Sequence, residues 1–203
     1  MRLFGVFFVA MVFLQPLAQA QRTTMTNGNG GTNFVGMDKL NDPTKEMLRR
    51  FIDASRLTFT GNGQLLAALG QDQEAAFMRE RINLLDESMT RREIEETFDA
   101  QLRGVSALNN AFGVAAQGDT AQLNGGLAVL AQAVAQYDSM IADLPEARAA
   151  MNTMRMVSKS DTPAFYMVRG LPRNTVSLKQ RLRMVVDACR KLGVKVPMAL
   201  LAD

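Results

Sequence analysis

From residue 119 onward the chain repeats apolar positions at alternating steps of four and three: Leu123, Leu127, Leu130, Val134, Tyr137, Ile141 and Leu144. That spacing places all seven on one stripe of a helix and turns the Ala- and Gln-rich remainder away. The same phase occurs earlier, in Leu48, Ile52, Ser55, Phe59, Asn62, Leu66 and Leu69. It runs unbroken through Gly61-Asn62-Gly63, which predicts one long helix over 43–69 rather than two. Each glycine costs about 1 kcal/mol relative to alanine in a helix interior, so the middle of this helix reads as a soft point. Further stripes predict a helix over about 72–88, with Met78, Ile82, Leu85 and Met89 inward. Another, to about residue 117, turns Ile94, Phe98, Leu102, Val105, Leu108 and Phe112 inward.

Polar and helix-breaking residues punctuate these stripes. Asp42-Pro43 reads as an N-cap followed by a proline at the first helical position. Gly70 ends the first helix, and Thr90-Arg91-Arg92-Glu93 has the form of a capping box. Gly118-Asp119 supplies a C-cap and then a new N-cap, opening a helix that runs to Leu144. Pro145 starts a shorter helix to about residue 158. The segment KSDTPAFYMVRGLPR, residues 159–173, holds two prolines and reads as a loop. A last helix is expected from about residue 174 to Leu192, stopped by Gly193, with a tail beyond it.

No segment alternates as a strand would, so the fold class is all-α. Short connections make sequential helices antiparallel, and a period near 3.5 suits shallow crossing angles. The expected architecture is an antiparallel up-and-down bundle of about five or six helices. The stripe over 119–144 is flanked by Ala, Gln and Gly rather than by the charges of an interchain coiled coil. Its partner is therefore expected to be the rest of the same chain, and the protein a monomer.

The N-terminus changes the picture. Arg2 precedes an apolar run from Leu3 to Leu14, Pro16 breaks it, and Ala18-Gln19-Ala20 matches a small-x-small cleavage site. Residues 1–20 thus have the layout of a secretory signal peptide. Residues 21–41, rich in Gly, Asn and Thr, read as a flexible leader, and 42–203 as a single helical domain. The product is expected to be exported, periplasmic or secreted, with no transmembrane segment after cleavage.

Composition narrows the chemistry. Histidine is absent, which removes Ser-His-Asp and Cys-His catalysis, His-ligated haem and the usual zinc sites. Cys189 is the only cysteine and falls in step with Leu178, Leu182, Val185 and Leu192, which predicts burial as a small hydrophobe. No cofactor is expected. In the run Met151-Asn152-Thr153-Met154-Arg155-Met156, the Met151 and Met154 thioethers share a helical face and are the candidate ligands for Cu(I). Gap-filling in the core is the ordinary role for such methionines. Glu93, Glu95, Glu96 and Asp99 form a carboxylate group that could do acid/base work, or serve the helix start and its solvated face.

Charge is unevenly spread. From Arg169 to Lys195 there are eight basic residues and one acid, a net +7, whereas residues 21–168 are net −4. Such asymmetry suggests an anionic partner, or else a face that pairs with the chain's own acidic helices. Lys179, Arg183 and Arg190 share one flank of the last helix and are the candidate contact surface. No aromatics interleave with these charges as nucleic-acid binding would favour, so the partner is expected to be an envelope protein or an anionic surface.

LLAALG closing the first helix, GLP ahead of the last and LGVKVP after it resemble a loose family of uncharacterised exported all-helical bacterial proteins of similar length. The resemblance implies an all-α fold and an envelope location, and attaches no activity and no functional residues. The functional expectation is a non-enzymatic accessory or interaction protein of the bacterial envelope, with the basic last helix and the 159–173 segment as contact region. The alternative is a periplasmic carrier of a hydrophobic ligand or Cu(I).

Overall fold

The computed structural model describes residues 40–114, 119–153 and 162–201. These residues are all-α. The helices are α1 (Asp42–Ala68), α2 (Asp72–Ile82), α3 (Arg91–Val114), α4 (Thr120–Ala142), α5 (Leu144–Thr153) and α6 (Pro163–Lys191), followed by a 3₁₀ turn at Met198–Leu200. No described helix is long and apolar enough to cross a membrane. Residues 1–39, including the predicted signal peptide and most of the leader, lie outside the described residues.

Local signals explain most helix ends. Asn41, one residue earlier than expected, caps α1 by accepting from the Thr44 N–H, which leaves Asp42 and Pro43 inside the first turn. Thr90 and Glu93 make the reciprocal capping-box bonds at α3. Asp119 caps α4 by accepting from the Ala121 and Gln122 amides. Gly70 and Gly193 take φ of 72° and 74°, the left-handed conformation that closes a helix without a Cβ penalty.

Three expectations need correcting. Helix α2 stops at Ile82, six residues short of the predicted end. There Arg56 of α1 holds the Leu85 carbonyl at 2.8 Å, and Asp86 binds the amide of Ser88, so the chain turns while Leu85 and Met89 stay buried. Leu144 opens α5 instead of closing α4. The largest correction concerns residues 159–173. Of these, 163–173 are helical, because Thr162 caps α6 through the Phe165 N–H and Pro163 sits in its first turn. Pro172 lies inside the helix. An interior proline removes one backbone hydrogen bond and costs about 3 kcal/mol. The flanking positions Met167, Val168, Leu171, Thr175 and Leu178 are all buried, and their packing carries the helix through.

Residue pairings give the helix directions. Arg50 meets Ser139 and Asp143, Ser55 meets Tyr137, and Gly61 meets Leu130. Numbers rise in α1 as they fall in α4, so these two run antiparallel. Helix α2 is likewise antiparallel to α1, as Arg56 to Leu85 and Gly63 to Met78 show, and to α3, as Arg81 to Glu96 and Glu74 to Arg103 show. In contrast α3 and α6 run parallel: Arg91 lies over Tyr166, Phe98 is beside Gly170, and Ser106 meets Arg181.

The core lies where α1, α3, α4 and α6 converge. Phe51 and Phe98 pack in a tilted arrangement, 58° between ring planes, with centroids 5.1 Å apart. The predicted stripe of α4 is buried at Leu123, Leu127, Leu130, Val134 and Tyr137, with Ile141 only partly covered and Met140 taking the inner place. Gly61 and Gly126 are contact points rather than soft points. A Cβ on Gly61 would lie 2.7 Å from Leu130 Cγ, and one on Gly126 would lie 2.7 Å from Leu65 Cγ. Neither spacing is sterically tolerable, so the two glycines are what allow α1 and α4 to approach this closely.

Candidate functional site

Two features of the helix array have chemistry beyond packing. The first is buried. Gln101 Nε2 donates to Tyr137 Oη at 2.7 Å and to Ser55 Oγ at 2.9 Å, joining α3, α4 and α1. Burial pushes the Tyr137 hydroxyl above its usual value of 10, against the opposing effect of its hydrogen bonds. With all three side chains out of solvent, this cluster acts as a polar key that selects one register of the three helices. In the sequence Ser55 falls on an apolar stripe, and only the fold reveals its partners.

The second feature is open. Parallel helices α3 and α6 leave a surface groove of about 750 Å³ between them. Its apolar lining is Phe98, Leu102, Phe165 and Tyr166. Gly170 brings the α6 backbone down onto Phe98, since a Cβ there would lie 3.3 Å from the ring. Glu95 and Asp99 stand on the α3 side, one helical turn apart, and Arg169 and Arg173 on the α6 side, also one turn apart. Arg91 lies over the Tyr166 ring at 4.9 Å, a cation–π distance. Burial of the ring, and then the charge of Glu95 together with the hydrogen bond between the two side chains, raise the Tyr166 hydroxyl, with Arg91 opposing. Arg181 is fastened at the far end, 2.5 Å from Ser106 Oγ.

Among the described residues Arg169 and Arg173 make no ion pair, and neither do Glu95 and Asp99. The remaining acids of the predicted carboxylate group are committed elsewhere: Glu93 to the cap of α3, Glu96 to Arg92 at 2.8 Å. The four acids therefore do not converge.

The predicted flank is placed differently. Lys179 Nζ is 3.3 Å from the Asp138 carboxylate on α4 and is largely covered. Arg183 and Arg190 are exposed on the same side of α6. One cation of the three thus pairs with the chain's own acid, and none of the three lines the groove, where Arg169 and Arg173 lie instead. Once 163–173 is read as helix, Arg169, Arg173, Ser177 and Arg181 fall at steps of four on one face. The Thr162-Pro163 pair, a cap followed by an N1 proline, was the signal that pointed there.

Met151 is 1% exposed and belongs to the core, and Met154 lies outside the described residues. A smaller hollow of about 360 Å³ is lined by Met151, Phe165, Val168 and Arg148. No cluster of three or more acidic or Cys side chains suited to a metal occurs among the described residues. Cys189 is fully buried, and burial pushes its thiol up to about 11, so it is held as an unreactive thiol near neutral pH.

Fold and site together define an all-helical protein with a charged interhelical groove. No protein-family model, curated protein or solved structure matches the chain.

Proposed function

We propose that this protein is an exported, non-enzymatic accessory protein of the bacterial envelope, periplasmic or secreted, that meets an anionic partner through helix α6. The observation that carries the reading is the pair Arg169 and Arg173. Both are exposed, both lack an acidic partner among the described residues, and both sit on the rim of the α3–α6 groove. Elsewhere on α6 the stripe from Met167 to Cys189 is buried and Lys179 is tied to Asp138. A guanidinium left uncompensated contributes nothing measurable to stability but supplies a fork for carboxylate or phosphate.

The test is co-sedimentation with vesicles of phosphatidylglycerol and phosphatidylcholine, against phosphatidylcholine alone, at two salt concentrations. The expected result is salt-sensitive binding to the anionic vesicles only. Arg169→Gln with Arg173→Gln should weaken it about tenfold or more, since each cation near an anionic surface is worth about 1 kcal/mol. Lys179→Gln, Arg183→Gln and Arg190→Gln together should weaken it less. Binding that survives both sets of changes would overturn the reading.

A second reading, a carrier of a hydrophobic ligand, draws on the hollow beside Met151, Phe165 and Val168. Native mass spectrometry of the purified protein would then show a retained lipid, and bare protein would set it aside.

A further inference from the structure

The α3–α6 groove has walls of opposite charge that do not close on one another. Because the helices are parallel and in register, Glu95 and Asp99 face the turn of α6 that carries Arg169 and Arg173. Opposite charges at matching heights on neighbouring helices would ordinarily reach across and pair. Here no nitrogen and oxygen of the four come within 4 Å. The groove between them is about 750 Å³ and floored by the Phe98 and Phe165 rings, a size in the range of small-molecule sites.

This pattern selects among ligands. A simple anion in the groove would meet the guanidiniums but also the two carboxylates, and a simple cation would suffer the reverse. A ligand carrying both charges on an apolar body satisfies both walls. We propose that the groove binds a small zwitterion of the amino-acid or short-peptide class. Its carboxylate is taken by Arg169 and Arg173, its ammonium by Glu95 and Asp99, and its apolar side chain by the rings of Phe98 and Phe165. Arg91 and Arg181 take no part in the contact: they hold the ends of the groove, on Tyr166 and Ser106. The inference rests on α6 as the contact helix and goes further, because it enlists the acidic wall of α3, which contact with an anionic partner leaves unused.

The test is isothermal titration calorimetry of the purified protein with leucyl-leucine, glycyl-phenylalanine and lysyl-alanine, each beside its N-acetyl and its C-amide form. At least one free dipeptide should bind, and both blocked forms of it should bind about tenfold more weakly or worse. Arg169→Gln with Arg173→Gln, and separately Glu95→Gln with Asp99→Asn, should each weaken the free dipeptide by a similar factor while circular dichroism stays unchanged. An N-acetyl form that binds as well as its parent would overturn the proposal in favour of a plain anion site. No heat from any of the three dipeptides at about 10 mM, weaker than any useful affinity, would overturn it outright. Vesicle binding lost on Arg169→Gln with Arg173→Gln, together with dipeptide binding that Glu95→Gln with Asp99→Asn leaves unchanged, would leave α6 as an anionic contact helix while the zwitterion proposal fails.

Discussion

The α1–α4 contact and the α3–α6 contact are made by helices of similar build, yet one is sealed and the other stands open. In the first, two antiparallel helices touch through Gly61 and Gly126, and leucines from each fill the space beside the other's glycine. In the second, two parallel helices touch at Gly170 and Phe98 and then part, leaving charged walls above an aromatic floor. The difference teaches where selection for fold ends. At the α1–α4 crossing a single added methyl group has no room. At the α3–α6 groove Arg169 and Arg173 stand exposed with no ion pair among the described residues, and their presence calls for a reason other than packing.

The largest effect should come from breaking the sealed contact. Gly126→Val puts a branched side chain where Leu65 Cγ already lies within 2.7 Å of the Cβ position. It should cost about 3 kcal/mol in urea unfolding, the upper range for overpacking. Its neighbour Gly125 is the control. A Cβ there meets nothing within 4 Å, so Gly125→Ala should stabilise by about 0.5–1 kcal/mol through helix propensity. Opposite signs at adjacent glycines would show that the crossing, not glycine content, sets the stability of α4.

The next effect concerns the polar key beside that crossing. Tyr137→Phe removes the acceptor of a 2.7 Å bond from buried Gln101 and should cost about 1–2 kcal/mol. Alkaline pH probes the same core. Tyr137 and Cys189 both have folded-state values raised above their usual 10 and 9, Cys189 to about 11. The folded state therefore keeps these protons longer than the unfolded chain does. Stability should be flat up to pH 9 and fall as pH rises through 11. Urea unfolding across that range should show a smaller fall in Cys189→Ala, even if that variant is less stable throughout. Below pH 9 native Cys189 should resist thiol reagents until the protein unfolds.

Much of the sealed region was legible in the sequence, because burial on both sides of a helix crossing imposes the four-three period directly. The phase of Leu48 to Leu69 runs through Gly61-Asn62-Gly63 for a physical reason: Asn62 keeps the buried stripe position, while Gly61 lies against Leu130 of α4 and Gly63 against Met78 of α2. The open region was harder to read. Pro163 and Pro172 argue locally for a loop, and only the buried residues around Pro172 override that preference. A loop over 163–173 gives Arg169 and Arg173 no shared face, which leaves Lys179, Arg183 and Arg190 as the visible basic flank. The pairing of α3 with α6 is also non-sequential, so no turn signal announces it. Glu95 and Asp99 stand out in the sequence as acids, but the arginines facing them follow only from the helix directions.

The smallest effects belong to the groove, and they carry the comparison. Arg169→Gln with Arg173→Gln should change unfolding free energy by no more than about 0.5 kcal/mol, as expected for exposed charges without partners. The decisive measurement is a double-mutant cycle in urea unfolding between Asp99→Asn and Arg173→Gln. Walls that stand open predict additivity within about 0.3–0.5 kcal/mol. A coupling above about 1 kcal/mol would show the groove closing on its own ion pairs, a seam of the fold rather than a place for another molecule.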